Sequence, residues 1–384
     1  MDLNKIFIKD ASPTKVGGQA VLEGIMMRGE DRTSVVVRFP DDSMHIKTEK
    51  LPQRKAWAKY PIVRGVFVFA ASLVQGTKTL MYSAEVMESY EGEGAIEYEE
   101  DKLSIWLEEK FGKKGAWNAM LYFSVFLAIL FTVGIFIIGP TWVVNFFGKF
   151  ISNEIALNLI EGVFRIALFV LYVVLISKMS DIRKVFQYHG AEHLCIHCYE
   201  NANELTPENC LKYYTLHPRC GTSFLMFVMV ISLIMFSLLG WPNLFWRITS
   251  RLLLIPVIAG LSYELLKWAG RSDNWVVKVL SLPGLYLQKL TTRQPDEKQL
   301  EVAIAAMKAV LVEESEPCIE GICDKDGRLV QLAPPPPAPA DEPQADEPPP
   351  ATPGEPSDLP EPPPSVPPAP EPQADEPPPD VQEL

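Results

Sequence analysis

The sequence predicts a mainly α membrane protein. It has about four transmembrane helices, a small N-terminal β unit, amphipathic interfacial helices and a disordered Pro-rich C-terminal tail. Three observations carry this reading. Four long apolar stretches lie in the middle of the chain. Lys and Arg are sorted unevenly among the segments that flank them. The acidic balance is confined to one end: residues 333–384 hold 22 of the 34 prolines and 12 Asp or Glu but no Lys or Arg, and so supply −12 of the formal −13. The first 332 residues, with 36 acids and 35 bases, are nearly neutral. That excludes a basic nucleic-acid binder and an ordinary acidic soluble enzyme.

Taken in order, residues 1–60 form an N-terminal β-containing segment. Val35–Phe39 and Met44–Lys47 are strand-like runs around the turn formers Pro40-Asp41-Asp42. The Gly17-Gly18-Gln19 and Glu23-Gly24 stretch is glycine-rich without phosphate-loop spacing, so no nucleotide role is assigned to it. Residues 61–84 read as an amphipathic or re-entrant helix, because apolar Gly65–Val74 is flanked by Arg64, Gln75 and Lys78. Residues 85–116 open with an acidic run, ten Asp or Glu against one Lys over 85–109, and read as a solvated linker. Residues 117–177 contain two spans, Trp117–Gly139 without a charge and Leu157–Ser177 with Glu161 and Arg165 four apart. Residues 178–222 are a polar insert. Residues 223–269 hold two more spans, the short Ser223–Leu239 and Leu252–Ala269 with Glu264 near its end. Residues 270–332 suit a pair of short interfacial helices broken at Pro283-Gly284, then a helix over Glu297–Glu313. In the tail, 333–384, Pro-Gln-Ala-Asp-Glu-Pro-Pro-Pro occurs at 343–350 and 372–379, a composition for extended polyproline segments with no core. It reads as a spacer whose protein partner is not specified.

The basic residues set the expected orientation. Residues 1–116 carry 17 Lys or Arg, the 141–156 loop one, the 178–222 insert five and the 240–251 loop two. Both termini and the insert then face the cytoplasm. MDLNKIFIKDASPTK has no apolar core, so no cleaved signal peptide is expected. The six cysteines fall on the same side or at its boundary, where a reducing compartment leaves thiols free or metal-bound.

The insert carries the chemistry. Asp181 is placed to cap a helix whose face bears Ile182, Val185, Phe186, His189, His193 and Ile196. His189 and His193 are four apart, so their rings can converge on one ion. Glu192 completes an H-x-x-E-H order, in which two neutral imidazoles hold a metal and a carboxylate takes a proton from water. His217-Pro218-Arg219-Cys220 adds a His-x-x-Cys spacing that can close on one ion in a turn. The expected metal set is His189, His193, His217 and Cys220, with Glu192 as the catalytic base. Such a set suits zinc or another divalent transition metal. Four protein ligands would make a structural site, and three plus water a catalytic one. Cys195, His197 and Cys198 have no matching partner pair, and buried histidines without a metal are the plain alternative for the whole cluster.

Long motifs then resemble the bacterial YqhQ family. They are Gly17-Gly18-Gln19-Ala20-Val21-Leu22-Glu23-Gly24-Ile25-Met26-Met27-Arg28-Gly29, Tyr188-His189-Gly190-Ala191-Glu192-His193, Leu216-His217-Pro218-Arg219-Cys220-Gly221-Thr222-Ser223-Phe224 and Ala259-Gly260-Leu261-Ser262-Tyr263-Glu264. Pro283-Gly284-Leu285, Leu290-Thr291-Thr292-Arg293 and Glu301-Val302-Ala303 complete a match over roughly residues 16–310. The resemblance implies a multi-pass protein of the bacterial inner membrane, described as a metal-dependent enzyme of undefined function. It supports 189, 192, 193, 217 and 220 as a set and leaves out Cys195, His197 and Cys198. Gln19, Glu23 and Arg28 belong to the signature as polar residues of a loop able to cover the site. The expectation is a metal-dependent hydrolase acting on a membrane lipid or a membrane-embedded substrate, without nucleic acid. The alternatives are a scaffold or assembly factor with a structural zinc, or a transporter using Glu161, Arg165 and Glu264.

Overall fold

The computed structural model describes residues 3–7, 12–52, 60–90, 102–239, 244–269, 274–324 and 326–332. The Pro-rich tail, the 91–101 part of the acidic run and the 240–243 and 270–273 connections lie outside the described residues.

After a single turn, α1 (Leu3–Ile6), the chain forms a four-stranded antiparallel meander: β1 (Gly17–Val21), β2 (Gly24–Arg28), β3 (Arg32–Arg38) and β4 (Met44–Lys50). The glycine-rich stretch expected to be a covering loop is therefore a hairpin. Its two-residue turn is Leu22-Glu23, with Glu23 in the left-handed region at φ 46°. β4 alternates, burying Met44, Ile46 and Thr48. β3 has a continuous buried run, because both faces of the sheet are covered. On one face α2 (Val63–Glu88) packs through Val86 and Met87 against Met26, Val35 and Val37. On the other, Ile25, Met27, Val36 and Ile46 meet two helices, α6 (Ser180–Glu200) and α11 (Glu297–Val310). The sheet is also larger than the N-terminal segment. β5 (Glu320–Cys323) pairs with β4, and β6 (Leu329–Leu332) pairs with β5.

α2 (Val63–Glu88) is one unbroken helix across the stretch expected to be an amphipathic or re-entrant helix, with no chain reversal inside it. It bridges the sheet and the apolar helices, and Arg64 at its start forms a two-pronged ion pair with Glu264. α3 (Lys102–Val133) is kinked at Gly112 and runs through a π-turn at Gly134–Ile138 into α4 (Gly139–Phe147). Among the described residues three segments are long and apolar enough to cross a membrane: Tyr122–Phe147, Glu154–Ile176 (α5) and Thr249–Ala269 within α9 (Leu244–Ala269). About four were expected. α8 (Gly221–Ser237) has only 17 residues, about 26 Å of helix against a hydrocarbon core of about 30 Å.

α6 (Ser180–Glu200) follows α5 directly. Met179 occupies its N-cap, so Asp181 lies inside the first turn rather than capping the helix as expected, and accepts from Ser180 Oγ at 3.0 Å. A short turn, α7 (Pro207–Cys210), then leads to α8. α10 (Trp275–Thr291) is a single helix, not the expected broken pair. Pro283 forfeits one backbone hydrogen bond there, while buried Val277, Leu285 and Leu287 pack on both sides of it and the helix continues through. α11 (Glu297–Val310) opens with an Asp296–Gln299 capping box and packs its small apolar face on β2 and β3. The insert is thus clamped between the sheet and the apolar helices.

Candidate metal centre

From Tyr188 to Cys198 α6 is buried apart from the half-buried His189, because β1, β2 and α11 close over it. Gly190 shows how tightly. A Cβ there would sit 2.0 Å from the carbonyl oxygen of Arg293, whose N–H donates to Phe186 O at 2.8 Å. The sequence makes this glycine a weak point of the helix; the structure makes it the place where the chain after α10 crosses α6.

That crossing orients His189. Its Nδ1 lies 2.8 Å from the carbonyl of Thr291, which takes the Nδ1 proton, so Nε2 carries a bare lone pair 3.1 Å from Cys220 Sγ. One turn on, His193 Nδ1 lies 2.5 Å from the carbonyl of Thr215. Its Nε2 is buried and has no hydrogen-bond partner. The two rings are 4.5 Å apart. Cys220 arrives from the other side as the N-cap of α8, its sulfur accepting from Thr222 N–H at 3.4 Å. The ligand atoms of His189, His193 and Cys220 all lie within 4.8 Å of one another. Burial lowers His193 to about 4 and so keeps it neutral. Burial alone would raise the Cys220 thiol, but a positive charge at His193 and hydrogen bonds from Thr222 oppose it and lower it; a cation held there would supply that charge beside the neutral His193.

These residues fit a divalent transition metal. Two imidazoles are locked by carbonyls behind them with their lone pairs facing inward, one lone pair is orphaned, and a sulfur is biased toward thiolate. Glu192 flanks the group. Its Oε1 accepts the Gly18 N–H at 2.9 Å, and a Cβ on Gly18 would come within 2.8 Å of its carboxyl carbon. Burial pushes this carboxyl up to about 7, against the opposing pull of His189 and the Gly18 hydrogen bond.

His217, expected as a fourth ligand, stands apart. Its ring is 5.6 Å from that of His193 and 4.6 Å from that of His197. It forms a second group with His197 and Glu200. Its Nδ1 accepts from Arg219 N–H at 3.3 Å, which leaves the proton on Nε2, 3.5 Å from Glu200 Oε2. Glu200 also accepts from Thr14 N–H at 2.9 Å and pairs with Arg219. The second group holds the His217–Cys220 loop through Glu200 and Arg219, although His217 Nε2 is itself buried without a hydrogen-bond partner, and Gln288 braces the loop by bonding both the N–H and the carbonyl of His217 at 2.8 Å. From sequence alone His197 is set aside with Cys195 and Cys198, and Glu200 is not singled out, although His193, His197 and Glu200 continue the His189 face at intervals of four and three.

Of the remaining thiols Cys195, Cys198, Cys210 and Cys323 are buried and Cys318 is exposed; Cys195 and Cys210 sulfurs lie 3.8 Å apart, and all six cysteines are free. Of the polar residues in the spans, Glu161 is bound by Arg165 on its own helix and by both guanidinium nitrogens of Arg251 from α9. Arg165 also donates to Phe136 O, in the π-turn, at 3.0 Å. Glu264 belongs to the separate pair with Arg64. These ties do not form one path.

Two clefts meet at the ligand group. One, about 180 Å³, is lined by Thr14, Lys15, His193, His217, Arg219 and Cys220. The other, about 300 Å³, is lined by Ala20, Val185, Phe186, His189, Cys220 and Leu225. Gly18, Glu192 and Gly221 border both.

The profile of the DUF1385 family, described as a protein of unknown function, matches residues 60–313. The chain belongs to this family. It is also 32% identical over 309 residues to the uncharacterized protein YqhQ of Bacillus subtilis (strain 168), covering 79% of this chain and 94% of that protein. The resemblance read from the motifs is thereby established. No solved structure matches the chain. The DUF1385 match takes in α2 through α11, and so includes every residue of both histidine groups; the hairpin carrying Gly18 precedes it.

Proposed function

We propose that this DUF1385 protein is a metal-dependent hydrolase of the inner membrane, with both termini and its metal centre on the cytoplasmic side. His189, His193 and Cys220 hold one divalent transition metal, zinc by donor chemistry. The observation that carries the reading is the orphaned Nε2 of His193, buried, deprotonated and aimed at two further ligand atoms. An unpaired buried lone pair costs about 1–3 kcal/mol, and a cation removes that cost. Three ligands rather than four favour an open site over a structural one. A bound ion of this kind supplies Lewis acidity. Glu192 keeps one carboxylate oxygen on the Gly18 N–H and has the other to accept a proton at the edge of both clefts. Arg219, Glu200 and His217 fix the loop that delivers Cys220.

A scaffold with a structural zinc is the second reading, favoured by the complete burial of His193 and by the nearby His217 ring. Replacing Glu192 by Gln separates the two. Under the hydrolase reading the variant keeps its metal and its thermal stability at neutral pH but fails to complement a deletion strain. Wild-type behaviour of Glu192→Gln cells would remove the catalytic assignment and leave the scaffold.

A further inference from the structure

The two clefts at the ligand group differ in kind. The smaller carries the polar and charged Thr14, Lys15, His217 and Arg219 beside the apolar Val16 and Ile196. The larger is walled by Ala20 of β1, Val185 and Phe186 of α6, and Leu225 of α8. Its lining is mostly apolar, with polar groups from His189, Glu192, Cys220, Gln19, Thr222 and Thr291. Leu225 is 41% exposed, in the second turn of an apolar helix that packs against α5 and α9, two of the membrane-length helices. The apolar cleft therefore opens where the apolar helix layer begins, and the polar cleft opens beside the N-terminal strand residues and Arg219. A molecule reaching the ligand group through both must be apolar at one end and polar at the other.

We infer that the site takes an acyl-chain amphiphile. Its hydrocarbon chain lies along Val185, Phe186 and Leu225, its polar head lies in the Thr14–Arg219 cleft, and its carbonyl region lies against His189, His193 and Cys220. The inference rests on the metal-site reading above. The chain enters from the lipid side along α8, and the open space beside Gly17 and Gly221, where an added Cβ would meet nothing within 4 Å, leaves the head free to pass. Burial of hydrocarbon supplies the affinity and the ligand group fixes the register, as in apolar pockets with a few convergent polar atoms.

The test uses straight-chain hydroxamates, whose heads chelate divalent metals, on the full chain loaded with cobalt in lipid nanodiscs. Binding is read as the shift of the cobalt absorption spectrum. Each methylene that leaves water for an apolar wall tightens binding about threefold to fourfold, so decanohydroxamate should bind at least about 100-fold more tightly than acetohydroxamate. Val185→Trp and Leu225→Trp, which fill the cleft from opposite walls, should each cut that ratio to below about tenfold while the cobalt content stays at the wild-type level. A ratio near one in the wild type, with acetohydroxamate still bound, would overturn the inference and leave the metal site standing. So would a wild-type ratio that both Trp variants retain, since the chain would then lie in the bilayer and not in the cleft. Tight binding of a leucine-rich peptide hydroxamate, with no gain from straight chains, would assign the cleft to a membrane peptide and overturn it as well. Absence of cobalt, or of any response to acetohydroxamate, would instead sink the metal-site reading itself.

Discussion

Replacing Gly190 by Ala reverses the sign that helix propensity assigns. In an exposed helix interior, Gly→Ala stabilises by about 1 kcal/mol. Here the new Cβ would lie 2.0 Å from Arg293 O and 3.1 Å from its carbonyl carbon. Ordinary contact begins near 3.4 Å, so the backbone after α10 has to retreat by more than 1 Å. That retreat breaks the 2.8 Å bond from Arg293 N–H to Phe186 O, and it shifts Thr291, two residues earlier, whose carbonyl orients His189. Overpacking of a rigid site costs about 1–3 kcal/mol, and the lost backbone bond adds about 1 kcal/mol. A net destabilisation of about 1–3 kcal/mol is expected once the propensity gain is subtracted, with a weaker metal affinity because His189 loses its orientation. Thermal unfolding in detergent, with and without added zinc, measures both. A melting temperature equal to or above that of the wild type would refute the crossing of Arg293 over α6.

Three further outcomes follow from the same geometry. In the metal-free protein His193, held near 4 against an ordinary 6.5, contributes stability that is present above pH 6.5 and lost as pH falls toward 4; Glu192, raised from 4.5 to about 7, gains stability as pH falls through 7 toward 4.5. The two offset each other between pH 6.5 and 4.5, so Glu192→Gln should uncover an acid loss of about 3 kcal/mol in unfolding midpoints, whereas equal pH slopes for variant and wild type would contradict the burial of this pair. Glu161→Gln strips the carboxylate from Arg165 and Arg251 and should destabilise the helices by about 3–5 kcal/mol, read as loss of folded protein in detergent; unchanged yield and melting would show that the cluster does not tie α5 to α9. Arg219→Met should loosen the loop that presents Cys220, weakening zinc affinity about tenfold or more in a chelator competition, and an unaltered affinity would remove the positioning role of Glu200 and Arg219.

Local pattern made part of this protein legible. The valine run at 35–37 and the alternation after Met44 announced β3 and β4, and three of the apolar stretches correspond to membrane-length helices. The four-residue spacing of His189 and His193 placed them on one face, and the position of Cys220 before α8 was visible as well. What escaped depends on distant pairing. β5 joins β4 across about 270 residues, and no periodicity encodes that. Gly17–Arg28 looked like a loop because its glycines suit the close approach of Glu192 and the neighbouring strand, which the linear sequence does not display. Pro283 looked like a break, yet packing against α8 overrides it. His217 shared a motif with Cys220, but the loop turns its ring toward Glu200, an acid whose relevance appears only when α6 is seen to run to residue 200.

The measurement that bears most directly on the metal centre is metal analysis of the purified full chain combined with an X-ray absorption spectrum of the bound ion. The account expects about one zinc-type ion per chain, with two nitrogens at about 2.0–2.1 Å and one sulfur at about 2.3 Å. The sulfur shell should vanish in Cys220→Ser and persist in His217→Ala. A folded chain that carries no metal, or a shell without sulfur in the wild type, would contradict it.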